Sequence, residues 1–338
     1  MLTTIDMFVK EIKKVVLFTL LGTLIFGTGC KKPDDESTKK PTTPSSQVQK
    51  RIFPNVDSLV RTASIVMDVA SSNTVTLTHG VTYTDMVITI PRTEGESKDH
   101  PEHICILATD LLSEGISMRV ATPDNSVEIP IGVWPRATLT NMAKDLESET
   151  LSVIGMTNAD FWNTTTFTPR GPVYSNGTVM CDKFDPAWSK QGISFVGRAK
   201  GGQMKIYYSS DYPAMKSIFS DVTGSGVVLV YGSKVQDGID DLEKGREPRT
   251  AIGHTSSDFC FQLCVDGRKA GVSEGMTMSE LASIFSALGC KAAVNLDGGG
   301  STQMLIRDPS SGEFRICNNP FDGSERPVID GWAIVKAK

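Results

Sequence analysis

From Ser64 onward the apolar residues fall into short runs with the alternation expected of strands. SIVMDVA (64–70), TVTLTHGVTYTDMVITI (74–90) and HICILATDL (103–111) are rich in Val, Ile, Thr and Tyr and are bounded by Gly, Pro and Asp. GISMRVATPDN (115–125) continues the pattern, and LSVIGMTNADFW (151–162) reads as a buried strand that ends in a polar turn. Further strands are predicted at 193–197, 204–208, 226–231 and 259–265, the last ending at an Asp266-Gly267 hairpin turn. The period becomes helical in two places. Between Thr138 and Glu149, Leu139, Met142, Ala143 and Leu146 recur on one face. From Thr277 to Leu288 a capping box (Thr277 with Glu280) opens an apolar stripe of Met278, Leu281, Ile284, Phe285 and Leu288, and Gly289 stops it. A short buried strand, Lys291 to Val294, then runs into Asn295-Leu-Asp-Gly-Gly-Gly-Ser301. With no internal repeat, the pattern predicts an α+β fold of mixed, mostly antiparallel curved sheets with a few packed helices.

The start of the chain follows a different logic. Lys10, Lys13 and Lys14 precede an apolar run, Val15 to Phe26, and the small residues Gly27, Thr28 and Gly29 lead to Cys30. As a helix that run spans about 18 Å, short of a bilayer core of about 30 Å. A charged start, apolar middle and small-residue end describe a secretory signal over 1–29. The ending resembles a bacterial lipoprotein cleavage site, which implies that Cys30 is acylated and anchors the chain to a membrane. Residues 30–50 contain no aromatic residue and a single aliphatic one, Val48, so they are expected to form a flexible tether. Asp34, Asp35 and Glu36 resemble the export tag of surface lipoproteins, and a plain solvated linker explains them equally well. The expected location is therefore the bacterial cell envelope, at the outer membrane and its surface.

The 338 residues carry 34 Lys and Arg against 39 Asp and Glu, a net charge of −5. No cationic excess is available to neutralise a phosphate backbone, which argues against a nucleic-acid partner. Residues 51–150 form a β-rich N-terminal portion and 151–338 a core, with 79–150 expected to belong to the same domain. Beyond Cys30, the cysteines are Cys105, Cys181, Cys260, Cys264, Cys290 and Cys317. Their spacing shows no CxxC pair or His partner, so no zinc site is assigned and most are expected to be buried free thiols.

Three successive glycines after a buried strand need either positive φ or a close approach to something. Gly298, Gly299 and Gly300 can present N–H groups to an anion, flanked by Asn295, Asp297 and Ser301, although no phosphate-loop spacing is present. A tight turn is the simpler account of the glycines alone. Other motifs stand in a fixed order around them: Asn158-Ala-Asp-Phe-Trp162, Pro248-Arg-Thr-Ala-Ile-Gly253, Asp266-Gly-Arg268, the capped helix, Asn295 to Ser301, and Arg326-Pro-Val. This order resembles the phosphodiester glycosidase family over about His79 to Val335, most specifically across 249–301.

The resemblance implies hydrolysis of a sugar 1-phosphodiester, N-acetylglucosamine-1-phosphodiester-like, to free sugar and a phosphomonoester. It implies Asp297 as the first catalytic carboxylate, with Asp160 and Asp266 competing for the second role. Arg249 and Arg268 would grip the phosphodiester in bidentate fashion, with Thr250, Ser301 and the Gly298, Gly299 and Gly300 amides assisting. Asn158 and Asn295 would hold sugar hydroxyls or the attacking water. Each has a plainer reading, as turn, surface charge or capping residue. His254, lacking a partner identifiable in sequence, is expected to be structural, as are His79, His100 and His103. Phe161, Trp162 and Trp188 can stack on a sugar ring or fill a core. No cofactor is assigned, and a divalent cation near Asp266 and Asp297 is left open. The rival functions are a non-catalytic lipoprotein that binds phosphorylated glycans and an envelope protein that uses the fold as a scaffold.

Overall fold

A computed structural model describes residues 51–126, 134–185, 191–242 and 244–338. The signal segment 1–29, Cys30, the tether 30–50 and Trp188 lie outside the described residues. Residues Ile52–Lys338 form one unit.

Three antiparallel sheets build it. The largest runs β1 (Asp68–Thr78), β2 (Val81–Ile90), β3 (His100–Asp110), β14 (Phe259–Val265), β13 (Arg249–His254), β15 (Ala292–Asn295), β11 (Val228–Tyr231) and β12 (Lys234–Val235). The second runs β17 (Phe314–Ile316), β16 (Met304–Arg307), β5 (Leu151–Asn158), β18 (Gly331–Ala337) and β4 (Ile116–Ala121). The third runs β7 (Thr178–Cys181), β6 (Val173–Ser175), β10 (Phe219–Ser225), β8 (Ser194–Ala199) and β9 (Met204–Tyr208). With the few short helices, this is the α+β class that the pattern predicts.

The central strands are apolar on both faces because both faces are covered. On β3, Ile104, Ile106 and Ala108 face the cluster that holds the helix Met278–Ala287, while Cys105 and Leu107 face a second cluster. On β14, Phe259, Phe261, Leu263 and Val265 take the helix side, and Cys260 and Cys264 take the other. That second cluster is shared with Met118 and Val120 of β4, Met304 and Ile306 of β16 and Trp332 and Ile334 of β18, so it is the layer between the first two sheets. Gln262 crosses it, donating from Nε2 to Thr157 Oγ1 at 2.7 Å and to the Trp332 carbonyl at 2.8 Å. Beyond the second sheet, Val153, Met156, Ala333 and Val335 pack on the helix Leu139–Leu146.

The best-defined local prediction is met in full: Thr277 accepts from the Glu280 N–H, and Glu280 reaches back to the Thr277 N–H. Elsewhere the boundaries differ. The long run 74–90 is two strands, because the chain reverses at His79-Gly80 inside a continuous β-prone stretch. Ser64 to Met67 precede the strand that starts at Asp68. Asp266-Gly267 is not a hairpin turn: the Asp266 N–H donates to the His103 carbonyl at 3.0 Å, so the ladder with β3 continues, and the chain then enters a loop leading to the helix. The segment from Arg249 is itself a strand, β13, paired along its length with the strand that follows it, β14. All six described cysteines are free, with Cys105, Cys260, Cys264 and Cys290 buried and Cys181 and Cys317 half-buried.

Candidate active site

Strands from different sheets end at a common edge. β5 delivers Asn158 and then Asp160, β15 delivers Asn295 and then Asp297, and β18 is entered from Asp330. The register of β18 on β5 sets Gly331 opposite Asn158, which brings Asp330 beside Asp160. The Asp160 N–H donates to Asp330 Oδ1 at 2.8 Å, and the Asp297 N–H donates to the Ala159 carbonyl at 2.9 Å. Three carboxylates thus converge on one point.

Asn158 is the clamp that holds this edge. Its Nδ2 donates to the Asp297 carbonyl at 2.7 Å, and its Oδ1 accepts from Thr250 Oγ1 at 2.7 Å and from the Gln303 N–H at 3.1 Å. With those groups engaged and the residue buried, Asn158 and Thr250 position the Asp297 loop rather than reach a sugar, a revision of the role that the resemblance implies. Arg249 is revised in the same way. It is buried, and its Nε and Nη2 donate to the carbonyls of Met276 and Gly245, each at 2.9 Å, so it ties two loops together. Asn295 is buried at the end of β15, and its backbone bonds Val227 and Gly226.

The glycines divide their work. Gly299 has φ +60 and donates its N–H to the Pro248 carbonyl at 2.8 Å, so that N–H is not offered to an anion. The Gly298 N–H bonds the Asp297 carboxylate. At Gly300 a Cβ would lie 1.9 Å from Nη2 of Arg326, so the glycine makes room for that guanidinium. Arg268 stands beside Gly299 but is paired with Glu247 through Nε at 2.5 Å and lies over the Phe321 ring.

A cleft of about 200 Å³ opens at this edge, lined by Phe161, Trp162, Arg170, Asp297, Ser301 and Arg326, with Thr164 and Gln191 on its rim. Arg326 holds Asp322 at 2.7 Å and reaches Ser301 Oγ at 3.5 Å, and Arg170 is paired with Asp185. Trp162 is backed by Phe167 and by the Arg136 guanidinium, 3.7 Å from the Phe167 ring centre.

Asp297 faces the cleft, yet its surroundings remove enough hydration to push its carboxyl up to about 6, against hydrogen bonding by Ser301, the positive charge of Arg326 and bonds from Gly298 and Trp162. Asp160 and Asp330 lie behind it. Burial, with each carboxylate's negative neighbours adding to it, raises both well above the ordinary range. Asp266 is elsewhere: its oxygens accept from His103 at 2.6 Å, from Asn318 at 3.1 Å and from the Asn319 side chain at 2.7 Å. It therefore does not join Asp297 and Asp160 as the third carboxylate. Asp330 does, and Arg170 and Arg326 take the places at the cleft that the resemblance assigns to Arg249 and Arg268. Arg326 stood in a quoted motif without a role. Asp330 has no such signal, since its position depends on strand pairing.

Residues 152–335, more than half of the chain, match the sequence profile of the phosphodiester glycosidase family. The SPbeta prophage-derived uncharacterized protein YomE of Bacillus subtilis is 35% identical over 140 residues, covering 39% of this chain and 20% of that protein. The chain thus spans about a fifth of the length of this curated relative. In fold it is similar to the zebrafish N-acetylglucosamine-1-phosphodiester alpha-N-acetylglucosaminidase catalytic domain auto-inhibited by its pro-peptide, with TM-score 0.57 and 18% identity over 78% of this chain and 88% of that one. It is also similar to a hypothetical protein from Synechocystis, with TM-score 0.55 and 15% identity over 80% of this chain and 64% of that one.

Proposed function

The chain belongs to the phosphodiester glycosidase family, and from that premise we propose that it hydrolyses a sugar 1-phosphodiester to the free sugar and a phosphomonoester. The observation that carries this reading is the pairing of Asp297 with Arg326 and Ser301 in one cleft. A phosphodiester brings a single negative charge, which a guanidinium and a hydroxyl suit. A carboxyl pushed up to about 6 moves a proton readily near neutral pH. Trp162 and Phe161 offer an apolar wall for the sugar ring.

The roles follow from placement. Arg326 and Ser301 take the phosphate oxygens, and Arg170 adds positive potential to the same cleft. Asp297, ionised, acts at the anomeric side as base or nucleophile. The phosphate is a good leaving group, so stabilising its charge matters more than protonating it. Asp160 and Asp330 stay behind Asp297, whose negative charge adds to the rise that burial gives both. N-acetylglucosamine is the proposed sugar, and the cell envelope, with Cys30 as a lipid anchor, the proposed location. The support for the latter is the lysine-flanked apolar run that ends in small residues and cysteine. An intact mass showing a mature chain that begins at acylated Cys30 is the expected result.

The test is release of free sugar from an N-acetylglucosamine-α-1-phospho-mannose diester, with Asp297→Asn alongside. Release by the wild type alone supports the reading. Saturable binding without release by a folded protein favours the glycan-phosphate binder instead.

A further inference from the structure

Away from the cleft, on β2 and β3, four side chains meet on one face of the large sheet. Asp85 is the cross-strand partner of Cys105. Tyr83 and His103 each stand two residues away along their own strands, hence on the same side of the pleat. His103 Nε2 lies 3.2 Å from Asp85 Oδ2 and 3.9 Å from Cys105 Sγ. The three donor atoms all lie within 4.8 Å of one another. The Tyr83 hydroxyl is 2.8 Å from the same Asp85 oxygen and 3.3 Å from the same sulfur.

We propose that Asp85, His103 and Cys105 form a site for a zinc-like divalent transition-metal ion. Zinc bonds of about 2.0 Å to nitrogen or oxygen and about 2.3 Å to sulfur set tetrahedral ligand edges of roughly 3.3 to 3.6 Å. The two measured edges bracket those values. The donor set is one imidazole, one thiol and one carboxylate, which suits zinc, cobalt or iron(II) and not calcium or magnesium.

An independent feature points the same way. The other ring nitrogen, His103 Nδ1, is 2.6 Å from Asp266 Oδ2, and Asp266 is itself fixed by Asn318 and Asn319. A carboxylate on the far nitrogen is the outer partner that sets the tautomer and the ring plane of a metal-bound histidine. With the ion bound, it keeps the proton on Nδ1 and leaves the Nε2 lone pair to the metal. This gives Asp266 a purpose away from the catalytic carboxylates.

The ion has a way in, since Cys105 is buried while the Asp85 side chain is 37% exposed. Binding replaces the proton that Nε2 shares with Asp85 and the Cys105 thiol proton, and both leave to solvent. The fourth position falls to water or to the Tyr83 oxygen. The site would pin β2 to β3 and, through Asp266, to the 318–319 loop. It does not depend on the reaction proposed for the Asp297 cleft.

The test uses the purified, metal-stripped full chain titrated with zinc chloride and with cobalt(II) chloride at micromolar concentration. Expected are one equivalent bound per chain, a sulfur-to-cobalt charge-transfer absorption with four-coordinate visible bands, and a metal-dependent rise in melting temperature. Cys105→Ser should abolish the charge-transfer band and weaken zinc at least tenfold. Asp85→Asn, at a partly exposed position where folding is safe, should weaken it similarly, while Cys181→Ser should change nothing. Substoichiometric binding by the folded wild type overturns the proposal. So does a charge-transfer band that survives Cys105→Ser, or zinc affinity unaltered in Asp85→Asn. Sugar release is not read in any arm, so failure of the hydrolase reading leaves this result intact.

Discussion

Asp160 donates its backbone N–H to Asp330 at 2.8 Å, and the two carboxyl groups are then enclosed together. Asp160 Oδ1 and Asp330 Oδ2 have no hydrogen-bond partner among the described residues. Two buried negative charges in that setting repel each other, so the pair favours holding a proton. Its titration therefore reports on stability.

The sign follows from linkage. A carboxyl raised above its unfolded value of 3.8 binds its proton more tightly in the native state, so its contribution is present below that value and is lost as pH rises through the folded one. Asp330→Asn keeps the acceptor for the Asp160 N–H and removes a charge. It should match the wild type near pH 4 and exceed it at pH 8 by about 1 kcal/mol or more, a few degrees in melting temperature. Thermal melts across that range check it. A variant less stable than wild type at pH 8 would show that the charge of Asp330 is needed for folding.

Asp297→Asn should lower sugar release by about 10² to 10⁴-fold without loss of the fold, as a cooperative thermal melt would show. Because the ionised form acts and the group is pushed up to about 6, wild-type kcat/KM should fall as the pH drops below about 6. A flat profile from pH 5 to 8 would remove Asp297 from the chemistry.

Gly300→Ala places a methyl group 1.9 Å from Arg326 Nη2, and the guanidinium, being the end of a flexible chain, swings away. The fold survives, and substrate binding loses one charged contact. KM should rise about tenfold, corresponding to about 1.4 kcal/mol, with a smaller change in kcat. Michaelis kinetics decide the matter, and an unchanged KM would place Arg326 outside the phosphate site.

Asn158→Ala leaves the Gln303 N–H, the Thr250 hydroxyl and the Asp297 carbonyl without their shared partner. Buried groups stranded in this way should cost roughly 2–4 kcal/mol, a fall in melting temperature of about 5–10 °C. Calorimetry would reveal it. A melt within one degree of wild type would mean that Asn158 is not the clamp described.

How far these features were legible depends on how local their physics is. The capping box at Thr277 and Glu280 is a rule of three residues' spacing, and it was readable to the residue. The strand β2 was readable because β-branched and aromatic residues dominate it, and β3 and β14 because each carries a short apolar run bounded by polar residues. β10 was not: its FSDVTGS carries Asp221, whose burial is compensated by Arg198 at 2.7 Å and by the N–H groups of Val120 and Asn176. Asp297 was found through the motif around it. Asp330 owes its place to pairing between β18 and β5, and His103 owes Asp85 to pairing between β2 and β3 and Asp266 to the continuation of β14 beside β3. Spacing along the chain carries neither fact. Arg249 was misplaced for the opposite reason: a motif arginine resembles a ligand-binding one until its carbonyl partners are seen.

β18 lies between β4 and β5, with Gly331 paired to Ala121 on one side and to Asn158 on the other. The sheet therefore stays divided until a segment some 200 residues downstream of β4 has been made and threaded into the gap. Such non-local closure is slow. Until it happens, both flanking strands expose unpaired edges, the condition in which chains aggregate. Refolding from denaturant should be limited by this insertion, and the cleft, entered through Asp330, should be among the last parts of the molecule to form.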